Sequence, residues 1–129
     1  MKYLTAQDVL VLQALVIDET GGIHGIRDLG LLHSAVERAK ASFGGRELYL
    51  SMYEKAAACF ESLIKNHVFF DGNKRIAVLA TARFLFINGF ELTATNKEVQ
   101  DFALRVIKKK QGVGDITVWL GHHTRRFKN

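Results

Sequence analysis

Val9, Leu10, Leu12, Leu15 and Val16 recur at helical spacing behind Thr5 and Asp8. Thr5 reads as an N-cap with an acid three positions on. That helix should stop near Gly21-Gly22, where a loop begins and runs to Gly30. A second helix is predicted from about Leu31 to Ser42, ahead of Gly44-Gly45. Ser51 and Glu54 form a capping box before the apolar run Ala56–Asn66. The loop His67–Asn73 interrupts, and a helix restarts near Lys74 and runs to Asn88-Gly89. Between Ile76 and Ile87 that helix is apolar on nearly every side, the pattern of a helix enclosed by its neighbours. Thr95 or Asn96 caps a further helix to about Lys110, and Asp115 caps a last one through Trp119 toward Arg126. Phe90–Thr93 suits a short extended segment. The expectation is an all-α single domain, residues 1–129, of about six helices.

Composition removes several function classes. The chain has 129 residues and no proline, so no ring interrupts a helix ladder. Its 48% hydrophobic and 24% charged content is that of a globular protein. Cys59 is the one cysteine, which excludes an intrachain disulfide and a cysteine metal cluster; its apolar setting suggests a buried thiol. No signal peptide is evident at the N-terminus, and Ile76–Ile87 is too short to span a bilayer, so a cytoplasmic chain without membrane contact is expected. The net charge is +5, but it is uneven. Arg105, Lys108, Lys109, Lys110, Arg125, Arg126 and Lys128 face only Asp115 within residues 105–129, while the rest of the chain is close to neutral. That distribution argues against a nucleic-acid binder coated in positive charge. The basic end is expected to be solvated or to face an acidic protein partner, and deleting residues 124–129 to weaken that contact in a salt-dependent way.

The chemistry concentrates in His67-Val68-Phe69-Phe70-Asp71-Gly72-Asn73-Lys74-Arg75. It lies between two apolar helices, where a short polar turn would suffice. The free backbone N–H groups of the following helix start, with Gly72 and Asn73, make an anion cradle. Lys74 and Arg75 add two positive charges at the same point, and phosphate is the ligand that fits best. Asp71 offers a hard oxygen ligand, suited to Mg²⁺ shared with nucleotide phosphates. His67 is the only group in the stretch able to take a proton near neutral pH. Together these parts suggest phosphoryl or nucleotidyl transfer to a hydroxyl. Taken singly, each part also has a plain reading: a helix-end histidine, an everyday Asp-Gly-Asn turn, a solvated cation pair.

His67-x-Phe69-x-Asp71-Gly72-Asn73-Lys74-Arg75 resembles the signature of the Fic/Doc family, in its Doc toxin branch. Gly22–Leu32, with Ser34 and Ala35, is similar to a second stretch of Doc-like toxins, as is Phe84-Leu85-x-x-Asn88-Gly89. The similarity covers roughly residues 5 to 120. It implies an all-helical fold with the motif loop between two central helices. It makes His67 the catalytic base, Phe69 the apolar anchor of the loop and Asp71 the Mg²⁺ ligand. It gives Gly72, Asn73, Lys74 and Arg75 the phosphates of ATP. Members that transfer AMP usually carry Gly where Lys74 stands. Lys there implies transfer of the γ-phosphate, and so a protein Ser/Thr kinase acting on a translation protein such as elongation factor Tu. AMP transfer, an RNase-like toxin and an inactive binding protein remain the alternatives. Val68, Gly72 and Ile76 replace a Pro, an Ala and a Thr found in relatives, and none of these positions has a named chemical role except Gly72.

Self-inhibited relatives carry Ser/Thr-x-x-x-Glu followed by Gly or Asn. None of the seven glutamates here precedes Gly or Asn. The resemblance therefore implies inhibition by a separate small antitoxin, packing near the motif loop. Phe43–Leu50 corresponds to a flap that aligns the target in relatives, and a plain inter-helix loop fits it equally well. His122-His123 cannot share a helix face and lacks a third ligand, and Trp119 is expected to pack on the core.

Overall fold

A computed structural model describes residues 1–127, so Lys128, counted above in the basic end, lies outside the described residues. Six α-helices carry the fold: α1 (Ala6–Thr20), α2 (Leu29–Glu37), α3 (Met52–Lys65), α4 (Asn73–Ile87), α5 (Asn96–Lys108) and α6 (Val113–His122). Two small antiparallel ribbons join them, β1 (Ser42–Phe43) with β2 (Arg46–Glu47), and β3 (Phe90–Leu92) with β4 (Thr124–Arg126). The all-α architecture expected from the periodicity is the one observed. Capping boxes at Thr5/Asp8, Ser51/Glu54 and Thr95/Glu98 start α1, α3 and α5. None of the helices is long and apolar enough to cross a membrane.

Three elements differ from the sequence expectation. Helix α2 starts at Leu29 because Asp28 caps it, its carboxylate accepting from the Leu31 N–H at 3.0 Å. It ends at Glu37, where a 3₁₀ turn, Arg38–Lys40, lets Arg38 point inward to Glu61, Ser62 and Tyr49. Ser42 and Phe43 then leave the helix and pair with Arg46 and Glu47 across Gly44-Gly45, both at positive φ. A two-residue turn of that kind matches strand twist. Helix α6 stops at His122 instead of reaching Arg126. The Thr124 hydroxyl donates to the Leu120 carbonyl at 2.7 Å, and the chain peels off to pair with Phe90–Leu92. This pairing adds a structural part to the basic end, whose Arg125 and Arg126 stay exposed. Arg125 is hydrogen-bonded to Glu91, and Arg126 lies 5.5 Å over the Phe90 ring. Deleting residues 124–129 would remove a strand as well as charge.

The core gathers around α3, whose Ala56, Ala57, Ala58, Cys59, Phe60, Leu63 and Ile64 are all buried. Three adjacent alanines let α2, α4 and α6 approach it closely. Helix α4, expected to be enclosed, buries Ile76, Ala77, Ala80, Phe84 and Leu85 but leaves Leu79, Arg83 and Phe86 exposed. Helix α1 runs antiparallel to it: Glu19 faces Arg75 at 3.5 Å, while Lys2 at the other end bonds Asn88. Trp119 stacks on Phe102 at 4.1 Å, packed against the core as expected.

Candidate active site

The site is built on the break between α3 and α4. Asn66 caps α3, and His67 follows at φ +48°, a left-handed conformation rare for a residue with a Cβ. Its side chain stands at the surface, while Val68 and Phe69 turn inward and are fully buried. Burying Phe69 anchors the loop in the core, and Phe70, the next residue, points back out.

Asn73 closes the loop. Its side-chain oxygen accepts from the Phe69 N–H and its side-chain nitrogen donates to the Phe69 carbonyl, both at 2.8 Å. With the amide committed in this way, what Asn73 can offer an anion is its backbone N–H. Gly72 takes φ +81° just before the helix and supplies no side-chain cap. The first bond of the helix runs from the Ile76 N–H to the Gly72 carbonyl. The N–H groups of Asn73, Lys74 and Arg75 therefore point ahead of the helix, at the positive end of its dipole. Lys74 and Arg75 are exposed there, and Arg75 makes only a long surface pair with Glu19. Such an end fits a phosphate chain.

Asp71 is half-buried, with one carboxylate oxygen accepting from the Ile23 N–H at 2.7 Å. No group of three His, Cys, Asp or Glu among the described residues could cage a metal. A single oriented carboxylate beside a phosphate cradle fits Mg²⁺, which keeps water and phosphate oxygens in most of its coordination sphere.

The segment 22–28 wraps this loop, although none of its residues is assigned chemistry above. Ile26 forms an isolated antiparallel bridge with Phe69. The N–H groups of Arg27 and Asp28 both donate to the Val68 carbonyl, at 2.8 and 3.1 Å. Arg27 also reaches the carbonyls of Asn66 and His67 with its guanidinium. The only available signal was that this stretch resembled the same family as the motif; spacing alone does not reveal that two segments 40 residues apart pair. His24, by contrast, makes a surface pair with Asp18 at 3.0 Å.

A groove of about 540 Å³ runs between α4 and α5. Lys74 and Arg75 line one end, and Val78, Leu79 and Leu104 give it an apolar floor. His67 and Asp71 do not line it. His122 and His123 hold no metal geometry: His123 stacks on Trp119 at 4.1 Å and bonds its carbonyl.

The sequence profile of the Fic/DOC family matches residues 3–85, ending inside α4, well short of residue 120. The matched part holds α1 to α4, and with them both the motif loop and the segment that wraps it. The chain is 43% identical over 93 residues to a protein named Toxin Doc from Mycolicibacterium smegmatis, covering 72% of this chain and 69% of that one. It is 26% identical over 92 residues to the Protein kinase doc of Escherichia phage P1, covering 71% and 72%.

Proposed function

The chain belongs to the Fic/Doc family, and from that premise we propose that it is the toxin of a toxin–antitoxin module, a protein kinase that moves the γ-phosphate of ATP to a Ser or Thr hydroxyl of a translation protein. Elongation factor Tu is the acceptor the resemblance favours, and growth arrest the consequence. The observation that carries the proposal is the uncapped start of α4, with Lys74 and Arg75 on it, one short loop from His67. The names of the two relatives, a Doc toxin and a Doc protein kinase, support the same reading.

In this mechanism His67 takes the proton from the acceptor hydroxyl. The freed oxygen attacks the γ-phosphorus, the bond to the bridging oxygen breaks, and ADP leaves. The backbone N–H groups of Asn73, Lys74 and Arg75 hold the phosphates, while the two side chains offset the charge that spreads over the transferred group. Phe69 and the Asn73 side chain keep the loop in one shape. Asp71 would hold Mg²⁺, which when bound neutralises phosphate oxygens. Lys74 fills the space that glycine leaves open in AMP-transferring relatives, so AMP transfer is the alternative.

The unit that works is the single domain 1–129, in the cytoplasm with its target, without nucleic acid or membrane. Its partner is a small, separately encoded antitoxin. Exposed Val11 and Leu15 on α1, Leu79 and Phe86 on α4, and Leu104 and Ile107 on α5 support a seat for an apolar helix beside Lys74 and Arg75. There it would deny ATP its site. Induced expression should arrest growth, and His67→Ala should abolish the arrest and the gain of one phosphate mass on the acceptor. A gain of one AMP would replace the kinase reading, and arrest that survives His67→Ala would remove it. Leu79→Glu should keep toxicity and escape neutralisation by the antitoxin, read by co-expression.

A further inference from the structure

We infer that Arg27 is a positioning residue for His67: its guanidinium clamps the peptide planes on both sides of that residue and so aims the imidazole. The inference rests on the proposed role of His67 as base. The Asn66 carbonyl belongs to the peptide plane before His67 and the His67 carbonyl to the plane after it. Arg27 Nη2 donates to the first at 2.9 Å and Nε to the second at 2.5 Å. Holding both planes fixes both backbone torsions of His67, and with them the direction of its Cα–Cβ bond. The clamp closes on a left-handed backbone, φ +48°, which is uncommon for a residue with a Cβ. Both carbonyls also sit at the end of α3, where helix carbonyls lack partners and a cation is favoured.

The rest of the wrapping segment acts through its backbone: Ile23 on Asp71, Ile26 on Phe69, Arg27 and Asp28 on Val68. Arg27 alone uses a side chain, so it is the contact a substitution removes while those backbone bonds stay. A guanidinium is a rigid fork that spans two acceptors, whereas a lysine ammonium is a point donor on a flexible stem. Arg27 and His67 are both exposed, so the clamp adds little to global stability. A plain helix cap would do the opposite, adding stability without aiming anything.

The test uses the full chain with Arg27→Gln and Arg27→Lys. In histidine-labelled protein, the His67 backbone resonances of the native chain should report the left-handed conformation. They should shift toward an averaged value in Arg27→Gln, while the resonances of His24, His33, His122 and His123 stay in place. With elongation factor Tu as acceptor, kcat should fall about a hundredfold, as a misaimed base requires, with KM for ATP unchanged. Arg27→Lys should fold normally and recover part of the rate. Unmoved His67 resonances, or an unchanged kcat, would overturn the inference. If the native chain transfers no phosphate, the proposed activity fails, and the resonances still decide whether Arg27 sets the conformation of His67.

Discussion

A Cβ placed on Gly72 would stand 3.3 Å from Ile76 Cδ1 and 3.4 Å from Val16 Cγ1, on a backbone at φ +81°. Gly72→Ala should therefore cost about 1–2 kcal/mol, mostly from the left-handed backbone, measured as a lower denaturation midpoint. It should also weaken ATP binding, since the helix start moves with it. Cys59 shows the reverse case of a reactive group made inert. Burial pushes its thiol up to about 12, against the pull of the Arg38 charge. Thiol reagents at pH 8 should leave it untouched in the native chain and label it on unfolding. Burial works against the charge of Glu61, yet hydrogen bonds from Arg38 and Lys65 hold its carboxyl below the usual range. The stability it adds is fully present above the unfolded value of about 4.3 and is lost as pH falls through the folded one. Glu61→Gln should be about 1–2 kcal/mol less stable at neutral pH, with a flatter loss in acid, read by urea titration at several pH values.

Among the elements, the β1–β2 hairpin depends on a buried lysine. Lys55 Nζ donates to Glu47 at 2.8 Å, to the Tyr49 carbonyl at 2.7 Å and to the Ala39 carbonyl at 3.3 Å. Its side chain is 3% exposed. Lys55→Met should lower stability by about 1–3 kcal/mol and expose the hairpin to tryptic cleavage after Arg46. Helices α1, α3 and α5 were legible because each signals its start locally: Thr5, Ser51 and Thr95 cap with an acid three residues on. What sequence reading missed depends on distant partners. The turn at Arg38 needs Glu61, β4 needs Phe90–Leu92, and the hairpin needs Lys55. The motif loop was visible as a concentration of chemical groups, and its anchor Phe69 through the family resemblance, whereas the pairing of the Asn73 amide with the Phe69 backbone was not visible. Asn73 reads as a phosphate ligand because it stands at the helix start beside Gly72, but its side-chain amide is taken by the Phe69 backbone. The open face of α4 was missed because uniform apolarity carries no sign of which side meets water.

At the scale of the molecule, two segments about 40 residues apart are hydrogen-bonded together at the motif, and an open apolar groove adjoins its cationic end. The net charge describes little of this. Lys74 and Arg75 belong to the near-neutral body, while Arg125 and Arg126 are tied into the β3–β4 ribbon. Salt-dependent contact with a partner is better sought at Lys108, Lys109 and Lys110, which are exposed at the end of α5. We propose that the segment from His67 to Arg75 moves a phosphoryl group and not a nucleotide. The most direct measurement incubates the purified chain with elongation factor Tu and ATP labelled at either the γ or the α phosphate. The acceptor should take label from the γ position only, and none in His67→Ala. Label arriving from the α position, or none from either while growth is still arrested, would contradict the proposal.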